Sequence, residues 1–398
     1  MRAISSQAHG VSVTTRVMLV AGARPNYMKI APIYWALTAP DAGQFTIDVV
    51  HTGQHYDASM SDDFFRDLHL PAPTINLGVG SGTHATQTAK VLVGFEQVMH
   101  ERRPDVVIVV GDVNSTAACA LVASKTYYDC GTGVSRPLVA HVEAGLRSRD
   151  RLMPEEINRL VTDAISDVLF TTCRDADDNL LAEGIPSSRI HFVGNPMIDS
   201  LRRCLGDAEQ SPLRAQLGVR DRPFGLCTLH RPSNVDQVDV LTEILDALAD
   251  LAVDLPLLVP LHPRTRARIK EFGLHERLRD VSGLSQPVPS SGLCALEPLS
   301  YLDMLAVMKS ARFVLTDSGG IQEETTALGI PCVTLRQNTE RPVTITEGTN
   351  VLAGTSRSDI IRGLSNALAK SAELNRMPEL WDGRAGERIV AALRELQA

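Results

Sequence analysis

The residues F-V-L-T-D-S-G-G-I-Q-E-E (313–324) carry the reading on which the fold turns. Phe313–Thr316 is a short run with no polar face, as a strand buried on both sides of a parallel sheet must be. Two glycines turn the chain, and a helix opens behind them. The same succession recurs outward in both directions. Strands are expected at Val17–Ala21, Thr46–His51, Val106–Val110, Leu138–His141, Val168–Thr172, Phe224–Thr228, Leu257–Leu261 and Cys332–Leu335. Helical periodicity lies between them, at Ser115–Lys125, Glu155–Ile165, Val238–Leu251 and Tyr301–Ser310. Strand alternating with helix specifies an α/β chain with doubly wound parallel sheets.

The chain has 398 residues, more than one core usually serves, so two or three domains are expected. The break is placed after V-G-N-P-M-I-D-S (193–200), with the polar stretch Gly206–Pro212 read as a linker or loop and a second series of strands from Phe224. Two α/β domains of similar size leave a cleft, and ligands of such sheets bind at the carboxyl ends of the strands.

Apolar residues make up 44% and charged residues 22%, the profile of a globular chain. A formal charge of −8 without a Lys/Arg run argues against nucleic acid as a partner. The seven cysteines (Cys119, Cys130, Cys173, Cys204, Cys227, Cys294 and Cys332) form no C-x-x-C pair, which points to a reducing, cytoplasmic setting. The apolar run Val17–Ala23 is too short for a signal segment or a membrane span and reads as the first strand. No G-x-G-x-x-G follows a strand and there is no Walker A loop. His51 and His55 are four apart, but Gly53 makes a helix there doubtful, and no metal site is read.

Four motifs carry chemistry. In D-S-G-G-I-Q-E-E, Ser318, Gly319 and Gly320 should leave backbone N–H groups open at a helix start, which suits a diphosphate, and Glu324 is placed to accept from ribose hydroxyls. In G-A-R-P-N-Y-M-K (22–29), Arg24 and Lys29 follow the first strand and could hold phosphates. Asp112 ends one strand, Glu143 and Arg147 another, and Glu155 and Arg159 share a helix face at i, i+4. Taken singly, these carboxylates are explained as helix caps or a surface pair. Three at one sheet edge are better explained as acid and base groups. His230, at the end of the second domain's first strand, is placed for proton exchange, although a lone histidine is more often structural.

Together these motifs, with P-E-E-x-N-R, G-N-x-x-I-D and T-E-R-P, resemble the non-hydrolysing UDP-N-acetylglucosamine 2-epimerases in order from about Arg16 to about Gly354. The resemblance implies a GT-B-like fold, two Rossmann-like domains with parallel sheets facing an interdomain cleft. The domains would be 13–195 and 196–384, with a C-terminal helix of about 385–398 returning to the first. It implies Arg24, Ser318, Gly319, Gly320, Glu324 and Arg341 as UDP ligands, and Lys29, Asp112, Glu143, Glu155, Arg159 and His230 as the catalytic set. The expected reaction removes UDP from UDP-N-acetylglucosamine, passes through 2-acetamidoglucal and returns UDP to give UDP-N-acetylmannosamine for polysaccharide biosynthesis. No cofactor is implied, and a homodimer is usual for such families. Three departures stand out: Asn26 where the common bacterial pattern has Glu, H-R-P-S-N (230–234), and P-L-H-P-R-T (260–265). The last, with Gln54, His55 and His262, lies near a possible second UDP-N-acetylglucosamine site, so activation by substrate is expected to be weak or absent. A GT-B glycosyltransferase, a hydrolysing epimerase and a silent UDP-sugar binder are the rival readings; the carboxylate trio and His230 weigh against the first and the last.

Overall fold

The computed structural model describes residues 14–53, 65–129, 134–281, 287–373 and 377–396. The chain divides into two compact units, Met1–Arg202 with Glu379–Ala398, and Arg203–Pro378. The first is built on strands β1 (Thr15–Ala21), β2 (Phe45–His51), β3 (Ile75–Asn76), β4 (Val106–Val110), β7 (Leu138–Ala144), β8 (Val168–Thr171) and β9 (Ile190–Phe192), with a small separate hairpin of β5 (Tyr128–Asp129) and β6 (Val134–Ser135). Their order is β3-β2-β1-β4-β7-β8-β9, and every neighbouring pair is parallel. The second unit holds β10 (Gly225–Thr228), β11 (Pro256–Pro260), β12 (Arg279–Asp280), β13 (Gly292–Leu296), β14 (Phe313–Thr316), β15 (Cys332–Thr334) and β16 (Asn350–Leu352). They lie in the order β12-β13-β11-β10-β14-β15-β16, again all parallel.

Each order reverses beside the unit's first strand, between β1 and β4 and between β10 and β14. Such switch points are where doubly wound sheets bind ligands, outside the carboxyl ends of the strands. The strands are apolar because helices cover both faces. All five residues of β4 are buried, and helix Val238–Leu251 sets Leu241, Ile244, Leu245 and Leu248 against the core of the second sheet. Those four follow helical spacing, and each buried aliphatic side chain contributes roughly 1.5–3 kcal/mol.

The reading of Gly206–Pro212 as a linker needs correction. Helix Pro196–Glu209 runs through Gly206. Its residues Met197, Ile198, Leu201, Cys204 and Ala208 are all buried, and their packing outweighs a glycine cost of about 1 kcal/mol. The sequence reading also passed over β3, β9, β12 and β16, which at two or three residues are too short to show a period, and over β13, whose G-L-C-A-L has no β-branched residue.

The C-terminal segment belongs to the first unit. Trp381 is buried there and donates from Nε1 to Thr172 O at 2.9 Å. Helix Ala385–Glu395 packs on helix Arg24–Leu37, and Asp199 caps its start by accepting from Gly386 N at 2.8 Å. The six described cysteines are buried thiols, and no helix among the described residues is long and apolar enough to cross a membrane.

Gly194 closes this arrangement. Its φ is +86°, and a Cβ there would stand 2.1 Å from Leu380 O, a backbone atom that cannot step aside. Gly194→Ala is therefore expected to lose about 3 kcal/mol or more of stability. Urea denaturation checks this, and a midpoint equal to the parent's would contradict it.

Candidate active site

In the first unit the candidate groups gather at the carboxyl ends of β1, β4 and β7. Lys29, on the helix that follows β1, is 6% exposed and forms an ion pair with the buried Glu143. Glu143 sits where the register of β7 against β8 shifts, and its φ is +73°, in the left-handed region. A non-glycine residue there costs of order 1–3 kcal/mol. Gly111, with φ +67°, leaves room for the pair: a Cβ on it would lie 2.8 Å from Lys29 Nζ and 3.4 Å from Glu143 Oε2. Asp112, next in sequence, accepts from Arg159 Nε at 3.1 Å, and its carbonyl accepts from Asn158 Nδ2 at 2.9 Å.

Asp112 does not cap a helix, since the following helix Asn114–Lys125 starts from Val113 with no side-chain cap. Arg159 is 2% exposed and does not pair with Glu155 as the i, i+4 spacing suggested. Its partners are Asp112 and Glu156, the latter at 2.6 Å and i, i+3. Glu156 also accepts from Ser148 N, Ser148 Oγ and Arg149 N, which uses both its oxygens. Glu155 stays half-buried in the first helical turn. Arg24 is the first residue of its helix and half-buried.

Beneath these groups lies a buried cluster that no motif announced. His141 Nδ1 lies 2.6 Å from Asp163 Oδ1 and its Nε2 lies 2.7 Å from Gly111 O. Asp163 Oδ2 accepts from Gly145 N at 3.0 Å and pairs with Arg147 at 2.8 Å. Burial pushes the Asp163 carboxyl up, but His141 and Arg147 more than offset this and hold it below its ordinary range. Asp163 thus pins the backbone on both sides of Glu143. Arg147, which the sequence placed at a strand end, is engaged here and in a bidentate pair with Glu183.

In the second unit, His230 follows β10 and Ser318 follows β14, the two strands at the switch. His230 Nδ1 lies 2.8 Å from Asp317 Oδ1, and its ring centroid is 6.0 Å from that of His262. His262 caps the start of helix Pro263–Glu271 by accepting from Arg264 N at 3.2 Å. Ser318 is the N-cap of helix Gly319–Leu328 and makes no side-chain cap hydrogen bond. One correction applies here: the Ser318 N–H is not open, because Thr316 Oγ1 accepts it at 3.0 Å.

Arg341 is buried and pairs with Glu323 at 2.9 Å and Glu340 at 3.6 Å. Glu340 also meets Arg336 at 2.8 Å and Arg231 at 3.5 Å. Burial raises the Glu340 carboxyl, and the arginines overcome that and hold it far below the carboxylate range. Glu324 is buried apart from these arginines and accepts from the Tyr301 hydroxyl at 3.0 Å. Gln322 ties the turn to the arginine loop, accepting from Thr339 Oγ1 at 2.8 Å and donating to Ser318 O at 3.3 Å.

The structure thus joins Lys29 with Glu143 and Asp112 with Arg159 in one unit, and gathers His230, Ser318–Gly320 and Arg341 in the other. Gln54 and His55 lie outside the described residues. His51 is the last residue of β2, not part of a helix, and meets the hydroxyl of Tyr27 on helix Arg24–Leu37 at 2.8 Å. Asp163, Glu156, Asp317, Glu340 and Gln322 escaped the sequence reading. Four of them stood inside quoted motifs, Asp317 and Gln322 in the glycine turn, Glu156 in P-E-E-x-N-R and Glu340 in T-E-R-P, and Asp163 alone of the five had no such signal. Among the described residues no three His, Cys, Asp or Glu side chains come together as a metal-binding group.

Comparison with known proteins follows this geometry. Residues 39–394 match the family model described as UDP-N-acetylglucosamine 2-epimerase. A UDP-N-acetylglucosamine 2-epimerase of Methanocaldococcus jannaschii is 41% identical over 383 residues, covering 95% of this chain and 98% of its own. A UDP-2,3-diacetamido-2,3-dideoxy-D-glucuronate 2-epimerase of Pseudomonas aeruginosa is 38% identical over 387 residues, covering 96% and 100%. The crystal structure of the M. jannaschii UDP-GlcNAc 2-epimerase in complex with UDP-GlcNAc and UDP superposes with a TM-score of 0.83 at 40% identity, covering 96% and 100%. The fold is accordingly GT-B-like, with two Rossmann-like units.

Glu324 gives the site a measurable signature. Burial pushes its carboxyl up to about 7, against the Tyr301 hydroxyl and with help from Glu323. The folded chain then holds a proton that the unfolded chain releases near its ordinary value of 4.5. The stabilising contribution is full below about 4.5 and is lost as pH rises through about 7. Glu324→Gln keeps the acceptor for Tyr301 and cannot ionise. Its stability relative to the parent should rise between pH 5 and pH 8, by about 2–3 kcal/mol at most. Paired denaturation curves at the two pH values check this; a constant difference would show that Glu324 does not titrate there.

Proposed function

The chain belongs to the UDP-N-acetylglucosamine 2-epimerase family, and from that premise we propose that it interconverts UDP-N-acetylglucosamine and UDP-N-acetylmannosamine without hydrolysis. The observation that carries the reading is the pairing of two carboxylates, Asp112 and Glu143, with the buried cations Arg159 and Lys29 at the ends of the adjacent strands β4 and β7. A binding protein has no need of such groups, and a glycosyltransferase would need an acceptor instead.

The chemistry follows from the substrate. The sugar's C2 proton is not next to a carbonyl, so it becomes acidic only as UDP leaves C1. The C1–O bond breaks with its electron pair going to the phosphate oxygen, a carboxylate takes the C2 proton, and 2-acetamidoglucal with UDP results. Reprotonation of C2 from the other face, with UDP adding back to C1, completes the inversion. No net oxidation occurs, so the reaction calls for no redox cofactor. Asp112, Glu143 and Glu155 supply the base and acid, positioned with Lys29 and Arg159. Arg24, Ser318, Gly319, Gly320 and Arg341 hold the diphosphate, Glu324 the ribose, and His230 assists the leaving group. The helix start at Ser318 and the arginines fixed by Glu323 and Glu340 support this assignment. The product would serve cell-surface polysaccharide synthesis in the cytoplasm. A homodimer is part of the reading: Val93, Leu152, Ile157 and Val161 of the first unit are exposed apolar side chains.

The test is proton NMR of the purified protein with UDP-N-acetylglucosamine in D2O. Deuterium should enter C2 as UDP-N-acetylmannosamine appears, and turnover with the C2 proton retained would refute elimination. The same assay with UDP-2,3-diacetamido-2,3-dideoxy-D-glucuronate decides between the two substrate classes represented among its relatives. Asp112→Asn, Glu143→Gln and Glu155→Gln should each lower kcat at least about a hundredfold while still binding UDP. A folded amide variant with near-parental kcat would return that carboxylate to a structural role.

A further inference from the structure

Asp317 stands between β14 and the glycine turn, and its carboxylate is buried. Its two oxygens are used unequally. Oδ2 accepts from His230 N at 3.0 Å, Arg231 N at 2.9 Å and Asn234 Nδ2 at 3.2 Å. Oδ1 faces His230 Nδ1 at 2.8 Å and has one longer contact, from His230 N at 3.2 Å. A carboxylate can only accept, so the imidazole must carry its hydrogen on Nδ1, whatever the state of Nε2. Burial pushes the Asp317 carboxyl up, and His230 with the backbone donors brings it below its ordinary range. It therefore stays an acceptor at neutral pH. The His262 imidazole lies beside the ring, and Arg231 is turned to Asp317 O, to which its Nε donates at 2.9 Å, and to Glu340, which its Nη2 meets.

We propose that Asp317 is a positioning residue for His230, fixing the imidazole with Nδ1 protonated so that Nε2 is the atom presented to the departing diphosphate. The proposal rests on the epimerase reading, which names that leaving group. It also joins two elements that the sequence keeps 87 positions apart. One carboxylate sets the ring at the end of β10 and begins the turn after β14, so the imidazole and the anion-facing N–H groups are referenced to the same residue. When it is doubly protonated, the ring donates a hydrogen bond from Nε2–H to the oxygen that gains the electron pair as the C1–O bond breaks, and the Asp317 carboxylate balances its charge. No proton need leave the ring, and the same oxygen re-forms the bond on return.

Asp317→Asn tests this. Three donors require an oxygen at the Oδ2 position, so the amide oxygen must stay there and the NH2 group must face His230 Nδ1. The ring then carries its hydrogen on Nε2 alone, as a neutral tautomer that keeps the Nε2–H donor but loses the positive charge that the Asp317 carboxylate balances. The expected results are a kcat lower by at least about a hundredfold, UDP affinity within about threefold of the parent, and a 15N resonance of Nδ1 that moves to the unprotonated range. In a His230→Gln background the same change should cost nothing further. Near-parental kcat, a still-protonated Nδ1 in the variant, or a full additional loss in the double variant would overturn the proposal. The parent supplies an arm that does not depend on the variant folding: its His230 Nδ1 should be protonated throughout pH 6–9, and an unprotonated Nδ1 would equally overturn it. If the parent fails to epimerise, the functional reading fails while the nitrogen resonances still decide the geometry.

Discussion

The ion pair between Lys29 and Glu143 is the contact on which the first unit's candidate site depends. Glu143 combines two unfavourable features, a left-handed backbone and a carboxylate with almost no access to water. Either alone costs a few kcal/mol. Lys29 neutralises the charge, and Asp163, through Gly145 N and His141, ties down the chain to either side of the strained residue. Removing one member of a buried pair commonly costs about 3–5 kcal/mol because the other charge is stranded. The strain is therefore locked in from several directions, which suits a group that must keep its aim through a reaction cycle. The bulge in β7 is the device: it turns Glu143 toward Lys29 at a point where regular pleating would send neighbouring side chains to opposite faces.

Much of this fold was visible in the sequence because parallel sheets write themselves as apolar runs. Val106–Val110 and Phe313–Thr316 were bounded to the residue, and helices Val238–Leu251 and Tyr301–Ser310 likewise. Residues at the ends of those strands were legible for the same reason, since a charge directly after an apolar run marks the carboxyl edge. What stayed hidden was pairing. Whether Glu155 or Glu156 binds Arg159 depends on helix rotation and on the Ser148–Arg149 backbone, not on spacing alone. Asp163 looked like one acid among several on a helix, and only the fold brings it under His141. Glycine at 206 suggested a break because local propensity was weighed without the buried face of its helix.

Two of the segments that depart from the common bacterial pattern are hydrogen-bonded neighbours. Arg264 of P-L-H-P-R-T forms a two-pronged ion pair with Asp236, which lies just beyond H-R-P-S-N, and Thr265 donates to Leu229 O. Asn234 reaches Asp317 and Leu335 O. The chain on both sides of H-R-P-S-N is thus tied to P-L-H-P-R-T, and removing the Arg264 guanidinium would leave Asp236 with one ionic partner fewer. Asn26 has a local explanation of the same kind. Its side-chain oxygen accepts from Gly22 N and Ala23 N while its NH2 group donates to Val110 O, a combination that an ionised carboxylate cannot make.

The diphosphate site proposed for the second unit is lined with acids, which runs against simple electrostatics, and the pairing of its charges accounts for it. Arg341 and Arg336 are buried and Arg231 is half-buried beside them, and an unpartnered buried guanidinium is costly. Glu340 and Glu323 remove that cost and, by holding the guanidinium planes in place, leave little reorganisation for the moment when charge develops. In the proposed site the net attraction would then fall to groups that need no counter-ion: the N–H groups of the helix start at Gly319 and Gly320, backed by a helix dipole equivalent to roughly half a positive charge. Backbone donors do not titrate, cannot fold away and are set in place by the switch between β10 and β14. Glu324 fits the same logic. A carboxyl whose burial brings it near neutrality in the free protein adds little repulsion to an arriving anion, yet it keeps an oxygen ready to accept from a hydroxyl. An acidic chain can therefore hold an acidic ligand, because what matters is the fixed orientation of a few dipoles and paired cations at one sheet edge, not the sign of the whole.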